Sequence, residues 1–516
     1  MSRVSHGIRK DNPSFTWATI DTVVVTALGL GYLALAIWLV TPPPPVGFYW
    51  DDGWYLMMAE WYSGRAEHRE LVWSMLHLRQ YPPFYPALLA AAGATLDRPE
   101  VGFLLNALAA AGAGAALLLW LRRAERFPMV AAAPASLALV LGPMSVAWLP
   151  TLFSEHVFIL FTVLVLWLAR IARSPRDWVI LGVVAGMAFL TRNPGLALVV
   201  AVALSALLTR WRMLPWLALG LLPIVLGGWW LASGLPPAPH YRRAFSELLA
   251  NLPTTEYLSA QFAGLAQGWQ DMWGSGAGGF IALVAVLPGL WMRLRRNRAD
   301  AWLVPITLLM LVLWPFPGHM SRYLWPLMPA LLVCAAETTQ GIKRESLRIA
   351  ALAIIPVVVI LGLPDGAVRT LDRVMNGPEP PLEALSRMQE WTRPEDRTAA
   401  LESLQARRQL LLDMAQVQHL TPKQSCVYSE LPALLAVQAK RVSPISPWQQ
   451  LSELGEHQLV CDYYYLMPLG LPGSDLEAIR ETAARHEVIY RSESPFDPTG
   501  RESMGVLFKL DRGDRG

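Results

Sequence analysis

Cysteine and charge are what this chain has least of. Three cysteines in 516 residues, Cys334, Cys426 and Cys461, are too few for a disulfide scaffold, and no CxxC or Cys/His spacing marks a structural zinc. Charged residues make up 16% of the chain against 54% hydrophobic, which excludes an ordinary soluble domain and points to an all-α polytopic membrane protein. A net charge of +3, without a basic stripe, carries no nucleic-acid signature. There is no solenoid-type repeat, and nothing of low complexity beyond the run Pro42 to Pro45.

What the chain does have is long apolar segments. A helix needs about 20 apolar residues to cross the hydrocarbon, and about eleven such runs are expected, near 18–40, 101–121, 128–148, 151–169, 178–191, 194–209, 213–232, 279–293, 301–316, 322–339 and 347–364. The first is too long, and too poor in a small-residue cleavage site, for a removed signal peptide, and reads as a retained anchor. Basic clusters orient the set, because Lys and Arg of short loops stay in the cytoplasm. Arg3, Arg9 and Lys10 precede the first run, and clusters at 122–126, 170–176, 210–212, 293–298 and 343–348 follow the second, fourth, sixth, eighth and tenth. All fall on one side. The opposite side receives a long first loop (41–100) with interfacial helices, tight turns at Ser154–His156 and Arg192, a loop at 233–278, and everything beyond 364.

The organisation expected is therefore a transmembrane domain over 1–364 and a small extracytoplasmic α/β domain over 365–516. In the second, Glu383 to Gln418 is helix-like, and strands are expected at 425–428, 459–465, 488–490 and 505–510. Cys426 and Cys461 lie there, in an oxidising compartment where the two thiols could form a disulfide. Cys334 lies in an apolar run and reads as a small buried hydrophobe.

The outer face carries unusual polarity. In FYWDDGWYLMMAEWYSG, Asp51 and Asp52 stand among aromatics where the first run ends. One acid can cap a helix beginning at Gly53 while Trp50, Trp54, Tyr55 and Trp61 form an interfacial belt, but a second carboxylate beside lipid is costly unless it acts. Paired carboxylates can supply a tuned general base or hold a cation. Glu155, in PTLFSEHVF, lies on the same side; it marks a helix start or joins that pair, and His156 beside it reads as an interfacial polar residue. Arg192, His319 and Arg322 break the charge asymmetry by standing outside; Arg192 either snorkels to headgroups or meets an anion, and His319 with Arg322 suits a phosphate. Polar groups gathered at one surface, not at the midplane, suit chemistry on a phosphate-bearing lipid better than transport.

DDGWY after the first run, YPPFYPALLA at 81–90, SEH at 154–156, LTRNPG at 190–195 and RYLWPLMP at 322–329 resemble, in this order, the GT-C membrane glycosyltransferases, and most nearly the bacterial relatives of protein O-mannosyltransferase and of the lipid A aminoarabinose transferase. The resemblance covers roughly 15–365 and implies an inverting transfer of a sugar from a polyprenyl (undecaprenyl) phosphate donor to a lipid, glycan or protein acceptor outside a bacterial inner membrane. It implies Asp51 as the base, Asp52 in an adjacent acidic position that is Glu in many relatives, Glu155 as the acid of the second outer loop, and Arg322 as the cation on the leaving phosphate, with His319 and Arg192 nearby. Tyr55, Tyr81 and Tyr323 would line the substrate pocket. Tyr81 stands where aminoarabinose transferases carry Lys, and Gly53 and Trp54 replace polar residues of the usual motif, so sugar and acceptor stay open. Metal use varies among relatives; Asp52, Glu155 and His156 could hold Mg, Mn or Zn, although neither spacing nor motif demands it. A transporter or flippase of a lipid-linked substrate, a ligase moving a whole lipid-linked glycan, and a purely structural membrane protein are the rival readings.

Overall fold

A computed structural model describes residues 14–41, 43–48, 51–64, 81–233, 254–273, 276–314, 320–340, 342, 344–346, 348, 397–429, 431–443, 461–466, 486–493 and 503–510. The helices follow the apolar runs: α1 (Ser14–Leu39), α2 (Asp51–Ser63), α3 (Phe84–Ala92), α4 (Glu100–Leu119), α5 (Met129–Leu141), α6 (Pro143–Trp148), α7 (Glu155–Ile171), α8 (Pro175–Thr191), α9 (Gly195–Arg210) and α10 (Leu214–Ser233). Later helices span Thr255–Trp273, Gly276–Arg295, Ala299–Val312, Met320–Leu324, Met328–Gln340 and Arg397–Leu420. Among the described residues, three helical stretches are long and apolar enough to cross a membrane, Glu100–Ala124, Gly195–Ala232 and Gly276–Arg295. Their outward surfaces are apolar: Leu226, Trp229 and Trp230 on α10 and Phe280 on Gly276–Arg295 are exposed, as suits side chains whose solvent is lipid.

Three expected segments differ, and one of them, 322–339, is divided into Met320–Leu324 and Met328–Gln340 by a 3₁₀ turn at Trp325–Leu327. The run 128–148 is not one helix but α5 and α6, broken at Gly142, where a Gly-Pro pair interrupts the backbone ladder. The loop expected at 233–278 contains the helix Thr255–Trp273. Its Tyr257 hydroxyl donates to the carbonyls of Val312 and Trp314 at 3.2 and 3.1 Å, and Gln261 Nε2 donates to Trp314 O at 2.7 Å. These bonds satisfy carbonyls left open at the end of Ala299–Val312. Its Gly268 lies against the backbone of Met320 and Ser321, so this helix seats the segment that delivers Arg322. The expected run 347–364 lies almost wholly outside the described residues.

Towards the carboxyl end, β1 (Val427–Ser429), β2 (Tyr463–Leu466), β3 (Glu487–Glu493) and β4 (Ser503–Lys509) form one sheet in the order β1-β2-β4-β3, parallel between β1 and β2 and antiparallel elsewhere. A disulfide joins Cys426 to Cys461, just ahead of the paired strands β1 and β2. Tyr465 and Tyr490 on the sheet donate to Asp413 on Arg397–Leu420, at 2.5 and 2.9 Å. This unit touches the helical body where the acid pair lies. Gly47 has φ +108° and a Cβ there would stand 2.8 Å from Leu434 Cα; one on Gly53 would stand 3.1 Å from Ala433 Cβ. Gly47 therefore requires a residue without a side chain, and Gly53 is closely packed against Ala433. Gln438 Nε2 adds a bond to Val46 O at 2.7 Å.

Candidate active site

The turn Thr151–Ser154 is held from below by one buried amide. Asn106 on α4 donates through Nδ2 to Thr151 O (2.9 Å) and Phe153 O (3.0 Å), and its Oδ1 accepts from Tyr85 Oη on α3 (3.1 Å). Most buried polar groups are satisfied in this way. The turn then leads into α7 with Glu155 as its first residue, fully buried. Ser154 Oγ and Tyr55 Oη are 3.0 Å apart, which ties the α7 turn to α2. Burial, followed by the nearby Asp51 charge, raises the Tyr55 phenol above its ordinary pKa, so it stays neutral and free to share a proton in a hydrogen bond.

Glu155 is the shared counter-ion of two arginines. Its Oε1 bonds Arg192, from the end of α8, and Arg322, from Met320–Leu324. Arg322 reaches a second carboxylate through Nη1, Asp51 Oδ2 at 2.6 Å. Asp51 accepts in turn from Tyr81 Oη at 2.6 Å. The Arg322 guanidinium lies 3.9 Å from the Phe153 ring centroid and Arg192 5.4 Å from that of Tyr323, flat contacts that fix the planar cations without neutralising them. Tyr81 packs edge-on against Trp54 and Tyr55, both at 5.3 Å.

The sequence-expected residues thus divide. Asp51, Glu155, Arg192 and Arg322 converge on one point, with Tyr55, Tyr81 and Tyr323 around them. Asp52 is buried, and its carboxylate accepts from the backbone amides of Gly47 (3.0 Å) and Gly53 (2.7 Å). It shapes the turn that enters α2, and as an acid at the helix start it also suits the positive end of the dipole. His156 is buried edge-on against Trp325 at 5.0 Å. The set Asp52, Glu155 and His156 does not fit a divalent ion: among the described residues no three His, Cys, Asp or Glu side chains gather as a ligand group. His319 lies outside the described residues. Asn106 and Phe153 were not anticipated, and Ser154 was read only as part of the turn before Glu155; the signal that could have pointed to Asn106 is a lone amide in an otherwise apolar run.

Two carboxylates and two guanidiniums, enclosed by aromatic rings next to apolar helices, make a site that can accept a proton and hold an anion within a few ångströms. The fold around it is that of the GT-C membrane glycosyltransferases. Residues 80–230, which contain Tyr81, Glu155 and Arg192, match the family model of dolichyl-phosphate-mannose-protein mannosyltransferase. The structure is similar to that of ArnT from Cupriavidus metallidurans bound to undecaprenyl phosphate, with a TM-score of 0.54 and 15% identity over 95% of this chain and 98% of that one. The apo state of the same protein gives 0.52 and 16% over the same shares. The oligosaccharyltransferase of Archaeoglobus fulgidus, in complex with Zn and sulfate, gives 0.51 and 14% over 85% of this chain and 68% of that one. No curated protein matches the sequence. At these identities the likeness establishes fold, and the chemistry has to be argued from the site.

Proposed function

We propose that this protein is an inverting glycosyltransferase that moves a sugar from a polyprenyl phosphate to an acceptor on the extracytoplasmic side of a bacterial inner membrane. The observation that carries the reading is the Asp51–Arg322 contact of 2.6 Å, a proton acceptor beside a cation suited to phosphate. The match of 80–230 to a lipid-phosphate-dependent mannosyltransferase model and the undecaprenyl phosphate bound by ArnT support the donor class. In this reading 1–364 is the transmembrane catalytic body and 365–516 an extracytoplasmic α/β domain whose Ala433 and Leu434 seat the Gly47–Gly53 turn.

In the resting site Arg322 is balanced by Asp51 and Glu155. A donor phosphate competes with Asp51 for Arg322, and the freed carboxylate turns to the acceptor. The acceptor hydroxyl gives its proton to Asp51 as its oxygen bonds the anomeric carbon from the face opposite the phosphate. The bond from that carbon to the phosphate oxygen breaks, its electron pair stays on the phosphate, and the anomeric configuration inverts. Charge on the leaving phosphate grows along this path, so Arg322 and Arg192 stabilise the transition state more than the bound donor. Asp51 can serve as the base because the hydroxyl proton becomes acidic only as the new C–O bond forms. Glu155 keeps both arginines in place, and Tyr81 orients Asp51.

Mass spectrometry of lipid carriers and envelope glycans in a strain lacking the protein tests the reading. Accumulated polyprenyl-phosphosugar together with a glycan shortened by one residue is expected. Loss of a whole oligosaccharide would indicate a ligase, and unchanged glycans with a redistributed carrier would indicate a flippase; either overturns the proposal.

A further inference from the structure

At the far end of the helices that carry Glu155 and Arg192 lies a second concentration of cations. Arg170 is fifteen residues beyond Glu155 on α7, a rise of about 22 Å, so this is the opposite end of the bundle. Five guanidiniums, from Arg170, Arg210, Arg293, Arg296 and Arg298, line a cavity of about 230 Å³ there, with Asp300 as the carboxylate in its wall. Arg293 is buried and satisfied: it meets Asp300 at 2.6 Å, Glu337 at 3.0 Å and Glu125 at 3.1 Å. Glu125 also holds Arg170 at 3.0 Å, and Glu337 holds Arg296 at 2.5 Å. These contacts explain three of the five cations as a clamp joining the helix ends.

Arg210 and Arg298 are left over. Arg210 donates to the Ala172 carbonyl just past α7, and neither it nor Arg298 has a carboxylate ion pair among the described residues. Arg298 is half-buried, and burial together with Arg170 and Arg293 depresses its pKa; its charge is under-compensated where it stands. A cation kept outside the membrane only by topology would extend into water. This one is fixed instead, because the turn that carries it is built. Arg298 N and Asn297 N bond the carbonyls of Arg293 and Leu294, and Ser205 Oγ on α9 donates to Asn297 O at 2.6 Å. A rigid, water-accessible cavity with surplus guanidinium charge and planar donor forks is a receptor for a phosphate group.

We infer that the cavity between Arg170, Arg210, Arg296 and Arg298 binds a phosphate group, from an inner-leaflet anionic lipid or from a soluble phosphate compound, at a site separate from the sugar-transfer centre. The charge distribution expected of the chain puts this end in the cytoplasm, where anionic headgroups occupy basic pockets between helix ends. The volume suits one phosphate with part of its substituent and not a large head group.

The test uses the full-length protein in detergent. Native mass spectrometry with added phosphatidylglycerol or phosphatidylcholine reads the lipid source, and calorimetry with inorganic phosphate or pyrophosphate reads the soluble one. Phosphatidylglycerol retained over phosphatidylcholine, or saturable phosphate or pyrophosphate binding, is expected from one arm or the other. That binding should weaken about tenfold to a hundredfold in Arg298→Gln and be only partly kept in Arg298→Lys, which retains the charge but not the planar fork. Asp51→Asn should leave it unchanged, which keeps this site distinct from the transfer centre. No selective binding in either arm, or binding that Arg298→Gln does not weaken while the variant keeps its thermal midpoint, overturns the inference.

Discussion

Asp51 and Arg322 meet side chain to side chain, with Oδ2 2.6 Å from Nη1, although one begins α2 and the other lies in Met320–Leu324, in the second half of the chain. The contact brings a carboxylate and a guanidinium to the same spot, which in the proposed reaction serve as base and phosphate-binding cation. It also makes the resting site self-compensated: in the proposed reaction a donor phosphate takes Arg322 from Asp51, and that exchange frees the carboxylate.

Arg322 stabilises the leaving phosphate in this account. Arg322→Gln is expected to lower kcat about 10²- to 10³-fold, and Arg322→Lys to recover only part of it, because an ammonium lacks the planar fork that reaches Asp51 and Glu155 together. Steady-state kinetics with the natural lipid donor checks this; a Lys variant at full kcat would contradict the geometry.

Glu155 is buried between Arg192 and Arg322. Glu155→Gln leaves two buried cations short of a counter-ion, a loss on the order of 3–5 kcal/mol for a broken buried pair. The expected result is a lower thermal midpoint in detergent together with lost activity. An unchanged midpoint with lost activity would assign Glu155 to the chemistry instead of to the frame.

Tyr81 donates to Asp51 at 2.6 Å. Tyr81→Phe removes that bond to a charged acceptor, about 1.5–3 kcal/mol, while the edge contacts to Trp54 and Tyr55 remain. A fall in kcat of about tenfold or more with only a small drop in thermal midpoint is expected. Unchanged kcat would mean that Asp51 does not need this orientation.

Asn106 holds two carbonyls of the turn before Glu155. Asn106→Ala leaves them buried without partners, at about 1–3 kcal/mol, and lets the turn move. Both stability and activity should fall. Activity at the wild-type level despite the lost stability would show that the turn holds its shape without the amide.

How far the sequence could be read depended on the range of the interaction. Asp51, Asp52, Glu155 and Arg322 stood out locally, as charges at the ends of apolar runs on one side, and the four short strands matched apolar stretches bounded by turn residues. The Gly142–Pro143 break was also written locally, but the apolar run around it obscured it. The different roles of the two adjacent acids were not visible, because Asp52 is set by the φ +108° turn at Gly47 and by the packing of Ala433 and Leu434 from the far end of the chain. The gathering of Glu125, Asp300 and Glu337 around Arg293 was not legible, since the three acids come from distant parts of the chain. The helix Thr255–Trp273 was missed because its polar face gives a low mean hydropathy, and only the fold shows which of the expected runs it packs on.

The central claim is that Asp51 receives the acceptor proton during sugar transfer. The most direct measurement replaces the chromosomal copy with Asp51→Asn and follows the lipid carriers and envelope glycans by mass spectrometry, beside a check that the variant inserts and keeps its thermal midpoint. The account predicts a folded protein, retained donor, accumulated polyprenyl-phosphosugar and transfer reduced about 10²- to 10⁴-fold; glycans of wild-type length and abundance from a folded variant would contradict it.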